Sequence, residues 1–166
     1  GRFITKPYAY EELINNAGML KFDVEEQVRK YGRTISKDTI EWWMKQPKEA
    51  KKMLEPSKDD ISIDNLFTVL HDLMEVQNAD RIYTRGNTFD PVLVMSILAQ
   101  FGKSDPAKYY AIRDTRSMID GMTYGHDISD KFIPDEVKNK FVAHDPRHDI
   151  AMDVYRLQYL ARILHD

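Results

Sequence analysis

The chain has 166 residues, no cysteine, 42% hydrophobic and 31% charged residues, a net charge of −3 and a pI near 6.0. That length supports one domain with its own core, the lack of thiols excludes disulfides and thiolate metal centres, and no apolar run is long enough to span a membrane. The acidic balance argues against a protein that coats nucleic acid through bulk positive charge, while leaving room for a local carboxylate cluster with a basic rim.

Taken in chain order, Arg2 to Thr5 reads as a short strand or its end, Tyr10 to Asn16 as a short helix and Met19 to Asp23 as an extended stretch. Leu20, Phe22 and Val24 alternate with Lys21, Asp23 and Glu25, the pattern of a half-exposed strand. Ser36 offers an N-cap for a helix over Lys37 to Gln46, which carries Ile40, Trp42, Trp43 and Met44. Pro47 opens a second short helix through Leu54. From Ile61 to Val76, apolar residues recur at helical spacing at Ile63, Leu66, Phe67, Leu70, Leu73 and Met74. Arg81 to Thr84 reads as a strand, and Gly86 and Asn87 turn the chain. Phe89 to Phe101 is apolar on several faces and predicts a buried helix ended by Gly102. Tyr109 to Ile112 is a further strand, and Asp114 is a candidate cap for Thr115 to Ile119. Residues 121 to 140 read mainly as loop, and Asp149 to Leu164 as a last helix with one apolar side. Strands alternating with helices indicate an α/β fold.

Two runs carry candidate chemistry. The last helix opens on AHDPRHDIAMDVYRLQYLA, with His144, Asp145, His148, Asp149 and Asp153 in close succession. One reading is a solvated helix start, where acids are favoured by the helix dipole; the other is a metal or acid–base site. Pro146 between the two histidines argues against a regular zinc-binding helix. His148 and Asp153 are five residues apart, about 140° on a continuous helix, so they converge only if His148 lies on a loop at the helix mouth. Asp149 and Asp153 would share a face. The second run, Gly86-Asn87-Thr88-Phe89-Asp90, follows a predicted strand. Ligand sites gather at such strand ends, although Asp90 is equally suited to cap the helix ahead of Pro91.

Together these runs resemble the DEDDh-type 3′→5′ exonucleases. GNTFD resembles the family's second motif and HDIAMDVY its third. KFDVEEQ, SKDTIEWWMKQPKEAKK and RDTRSMID resemble the phage exonuclease A branch and its bacterial relatives, in matching order. The resemblance implies a ribonuclease H-like mixed sheet flanked by helices in a single exonuclease domain spanning 1–166. It also implies hydrolysis of single-stranded RNA or DNA from the 3′ end with two divalent cations, Mg²⁺ or Mn²⁺. Asp90 and Asp153 would be metal ligands, with His148 as general base and the small Ala151 leaving room near the ions. His144 with Asp149 has the same spacing as His148 with Asp153 and is the rival register.

The family's first motif, Asp-x-Glu on the first strand, has no counterpart in this chain. Asp23-Val24-Glu25 has the right letters but aligns with the family's KFD run and shares its face with a lysine. The expectation is an N-terminally incomplete domain lacking its first strand or strands, with a catalytically inactive, nucleic-acid- or protein-binding relative as the alternative. An unrelated metal hydrolase using His144, His148 and Asp149 is a third reading. On the substrate side, Trp42 or Trp43 would stack on a terminal base, unless both are structural. Asn87 and Phe89, within the second motif, are further substrate-binding candidates. Arg113 and Arg116 would hold phosphate, unless they form a local surface pair with Asp114; Arg85 is a further phosphate candidate. The partner is a single-stranded 3′ end and no membrane, and self-association is left open. The compartment is the cytoplasm of a bacterium or of a phage-infected host.

Overall fold

The computed structural model describes residues 7–76 and 80–165. The expected strand at Arg2 to Thr5 lies outside them. The described residues form an α/β structure with eight α-helices and one two-stranded parallel sheet. They separate into two compact units. Among the described residues, the first comprises 7–19, Gln46–Leu54 and 116–165, and the second Leu20–Lys45, 55–76 and 80–115. No helix is long and apolar enough to cross a membrane, among the described residues.

In the first unit, helix α1 (Tyr10–Asn16) packs on the long last helix, which by chain order is α8 (Pro146–His165). Glu12, in the first turn of α1, reaches back to the Ala9 N–H at 2.9 Å and satisfies one of the donors a helix start leaves open. Tyr10, Val137, Ala151 and Met152 form one buried cluster, edged by Leu13, Ile14, Ile133, Phe141 and Tyr155. Further along α8, Leu157 and Leu160 form a second cluster with Ile119. The expected start of α8 at Asp149 moves back to Pro146. Proline has no N–H to lose in a first turn, so it begins the helix instead of breaking it. Residues 121 to 140, read as mainly loop, include the end of helix α7 (Thr115–Met122) and a 3₁₀ turn at Asp135–Val137 that buries Val137. The short α4 (Lys48–Lys51) buries Ala50 and runs into a 3₁₀ turn at Lys52–Leu54, close to the expected span.

The second unit holds the sheet. Strands β1 (Ile82–Thr84) and β2 (Ile112–Asp114) pair in parallel, with Ile82 opposite Ile112 and Thr84 opposite Asp114. Helix α6 (Asp90–Gln100) lies between them in sequence, giving a βαβ unit. The ribonuclease H-like sheet expected above is larger than this pair. The second strand begins at Ile112, not Tyr109, because Tyr109 and Tyr110 are exposed side by side in edge contact. Leu98 of α6 packs with Ile63 and Leu66, with Phe22, Tyr31, Phe67 and Phe101 around them. Val92, Leu93 and Met95 remain exposed, so α6 is not buried all round. Gly102 ends it with φ +63°, a left-handed conformation that suits glycine.

Two helical expectations change in this unit. The strand pattern at Leu20 to Glu25 survives only as a parallel bridge from Phe22 to Ile61. Val24 instead starts α2 (Val24–Tyr31), because the Asp23 carboxylate accepts the Glu26 N–H at 2.9 Å as an N-cap. Acids in the first turn, Arg29 and Lys30 in the last and Gly32 at φ +63° complete the helix signal. The segment expected as one helix from Ile61 is a 3₁₀ turn (Ile63–Asn65), α5 (Leu66–His71) and a π-helical turn (Asp72–Val76). Helix α3 (Lys37–Met44) follows the expected cap, Ser36 accepting the Thr39 N–H at 3.3 Å.

Candidate functional site

The second unit brings two of the recognised runs together at the carboxyl ends of its parallel strands, where open α/β folds bind ligands. Gly86 turns the chain after β1 with φ +120°, a conformation open to glycine and strained for a side chain. The Thr84 hydroxyl then donates to Asn87 Oδ1 at 2.8 Å. The Asn87 N–H donates to Asp114 Oδ2 at 3.0 Å, which joins the GNTFD turn to the RDTR run. The Thr115 hydroxyl adds a bond to the Thr84 carbonyl at 3.1 Å. Asn87 is thus part of the scaffold of this turn. Phe89, 65% exposed, immediately precedes α6, and Asp90 is the first residue of that helix. Asp90 lies at the surface, yet the protein packed behind its carboxyl raises its pKa above the ordinary value. No hydrogen bond or ion pair engages the Asp90 carboxyl among the described residues.

In the first unit, the acidic run from Pro146 onward lies on one continuous helix, with His144 and Asp145 just ahead of it. His148 sits within the first turn of α8, not on a loop at its mouth as the convergence with Asp153 required. Its Nδ1 lies 3.1 Å from the Tyr10 hydroxyl and 3.3 Å from the Val142 N–H. Asp153 is 7% exposed and pairs with Arg156 at 3.0 Å. Arg156 is buried too, and also donates to the carbonyls of Phe132 (2.7 Å) and Lys131 (3.3 Å). Ala151 does not open space beside ions; it is packed against Tyr10 and Met152 in the core. Asp149 accepts the His144 N–H at 3.3 Å, and burial raises its carboxyl pKa, with a smaller push from Asp153. Burial also works against the Asp145 carboxylate, but the Arg147 hydrogen bonds outweigh it and its pKa falls below the usual value. His144 enters this turn at φ +67°, an unusual and strained conformation for a histidine.

Oxygen donors of this kind suit hard divalent ions. Within neither unit, however, do three His, Asp or Glu side chains gather closely enough to hold one, among the described residues.

The substrate candidates divide in the same way. Trp42 and Trp43 pack against each other on α3. Their rings meet edge to face at 5.1 Å, with Trp42 exposed and Trp43 half-buried. The Arg113 guanidinium folds back on the carbonyls of Tyr110 and Ile112. Arg116 pairs with Asp130 at 3.2 Å, not with Asp114. Two residues escaped the sequence reading. Arg156, three positions after Asp153 on an apolar-striped helix, had a visible signal in its i,i+3 spacing. Tyr10 had none, since only the fold brings it to His148.

A family model described as "3'-5' exoribonuclease Rv2179c-like domain" matches residues 16–153. An exodeoxyribonuclease of Enterobacteria phage T4 is 32% identical over 171 residues, covering 92% of this chain and 74% of the phage protein. No solved structure gives a significant match. A match through most of the chain in one case, and across both acidic motifs in the other, leads to one conclusion: the chain belongs to the 3′-5′ exoribonuclease Rv2179c-like family of exonucleases, near its phage branch.

Proposed function

We propose that this protein removes nucleotides from the 3′ end of single-stranded RNA or DNA, on a ribonuclease H-like frame. The observation that supports it most is the unbroken family match from residue 16 to residue 153, which takes in both Asp90 and Asp153. The sugar is left to experiment, because the family description names an exoribonuclease and the phage relative is named an exodeoxyribonuclease. We assign Asp90 and Asp153 as ligands for two divalent cations, Mg²⁺ or Mn²⁺, and His148 as the group that takes the proton from the attacking water. Such ions, when bound, supply an activated water and neutralise the leaving oxygen. What the chain's own groups contribute is an uncommitted carboxylate at Asp90, an imidazole held at Nδ1, and an exposed Phe89 ring beside Asp90. We assign that ring to contact the substrate, where an exposed aromatic can stack on a base.

A second reading, an inactive relative that still binds nucleic acid, is favoured by the buried Asp153–Arg156 pair, which commits one proposed ligand to a cation of the protein itself. The test uses 5′-labelled single-stranded RNA and DNA with Mg²⁺ or Mn²⁺. The expected result is a ladder shortening from the 3′ end, lost in Asp90→Asn and Asp153→Asn. Binding without shortening selects the inactive relative. Shortening that survives both substitutions removes the ligand assignment, and loss in His144→Ala but not His148→Ala would move the site to the other register.

A further inference from the structure

The imidazole of His148 has two neighbours at its inner nitrogen, and they ask opposite things of it. The Val142 N–H, 3.3 Å from Nδ1, can only donate, so it favours a ring whose proton is on Nε2. The Tyr10 hydroxyl, 3.1 Å from Nδ1, can do either. Turned toward the ring it donates to Nδ1 and joins Val142 in favouring the Nε2–H form. Turned toward the His148 carbonyl, 3.4 Å away, it donates there and leaves an oxygen lone pair facing Nδ1. Tyr10 is 1% exposed and is held edge-on between the His148 and Tyr155 rings, so its oxygen is fixed in place while its hydrogen can turn.

A base that takes a proton at Nε2 must start with Nε2 empty and its own proton on Nδ1. After the transfer both nitrogens carry hydrogen. In each of these states Nδ1–H needs an acceptor, and among the described residues the Tyr10 oxygen is the one in reach. We infer that Tyr10 is the positioning residue for His148: its hydroxyl, by turning from Nδ1 to the His148 carbonyl, sets which ring nitrogen is free to accept a proton. In the accepting arrangement the water's proton goes to Nε2, Nδ1–H is held by Tyr10, and the Tyr10 proton stays on its own oxygen. Burial supports this by keeping the phenol protonated up to about pH 12. The role of the step rests on the proposed function of His148; the control of the ring by Tyr10 does not.

The test separates the two. Ring ¹⁵N shifts of His148 are read in the full chain, wild type and Tyr10→Phe, at a pH where the ring is neutral. The phenylalanine keeps the ring that packs on Tyr155 and Met152. The wild type is expected to show a measurable Nδ1–H fraction, and the variant the Nε2–H form alone. In exonuclease assays the variant's kcat is expected to fall at least tenfold with KM within twofold, the size of loss usual when a group orienting a site residue is removed. Unchanged ring nitrogens in Tyr10→Phe overturn the inference. So does a wild type with no detectable Nδ1–H, a result that needs no folded variant. Shifted nitrogens with unchanged kcat uphold Tyr10's hold on the ring and remove His148 as the base.

Discussion

Replacing Arg156 by methionine tests whether its ion pair holds Asp153 in place. The two side chains are 7% and 10% exposed and 3.0 Å apart. Methionine refills most of the volume but brings no charge. The Asp153 carboxylate is then left buried without this counterion, which costs about 3–5 kcal/mol. The carbonyls of Phe132 and Lys131 also lose a charged donor, so about 4 kcal/mol is a conservative figure for Arg156→Met. Asp153→Asn leaves Arg156 its two carbonyls and an amide oxygen, and should cost only about 1–2 kcal/mol. Once the carboxylate is gone, losing the guanidinium matters less, so the double variant should fall short of the sum by roughly 2 kcal/mol. The assay is urea unfolding followed by far-UV circular dichroism, which reads α8. Tryptophan emission is unsuited because both tryptophans lie in the second unit. With a urea slope of about 2 kcal/mol per molar, the Arg156→Met midpoint should drop by roughly 2 M. A loss under about 1 kcal/mol, or strict additivity, would refute the claim that this pair holds Asp153 in place.

Three further outcomes follow from local chemistry. Asp149 has a folded pKa above its unfolded one, chiefly through burial, so stability falls as pH rises from the unfolded value to the folded one. Asp149→Asn should therefore be more stable than wild type at pH 7 and indistinguishable below the unfolded pKa, as read from urea midpoints across pH. Tyr10 is pushed up to about 12, first by burial and then by Asp149, so stability should fall between pH 10 and 12. Absorbance titration at 295 nm should show a late-ionising component, to which Tyr31 and Tyr155 also contribute, that shrinks in Tyr10→Phe. Gly32 ends α2 at φ +63° with open space where a Cβ would go, so Gly32→Ala should cost about 1–2 kcal/mol from backbone strain alone, and Gly32→Asn less, in thermal melts.

The local signals that carried through the fold were chemical ones: the Ser36 cap, the Gly102 stop and the glycine turn after β1. Alternation was the weaker guide. At Leu20 to Glu25 a period-two pattern was overridden by one carboxylate, because Asp23 capping Glu26 starts a helix at the point where the strand would have continued. Pro146 was legible as a boundary but read in the wrong direction, since its rigid φ suits a helix start as well as a break. The motif resemblance singled out Asp90, His148 and Asp153 as candidates, but sequence spacing says nothing of partners. Arg156 reaching Asp153, and Tyr10 reaching His148 from 138 residues away, are tertiary facts.

The order of segments in the two units has a consequence for synthesis. Every residue of the second unit precedes residue 116, whereas the first unit needs both α1 and α8, which lie on either side of it in sequence. Domains tend to fold as their sequence emerges, and contacts between distant segments wait for both ends. On a translating ribosome the βαβ unit can therefore close early, while Tyr10 waits without its partner until α8 is released. The contact between Tyr10 and His148 thus forms only after the whole of the second unit has been made. A nascent chain would carry its turn at Gly86 and Asp90 well before it carried an oriented histidine.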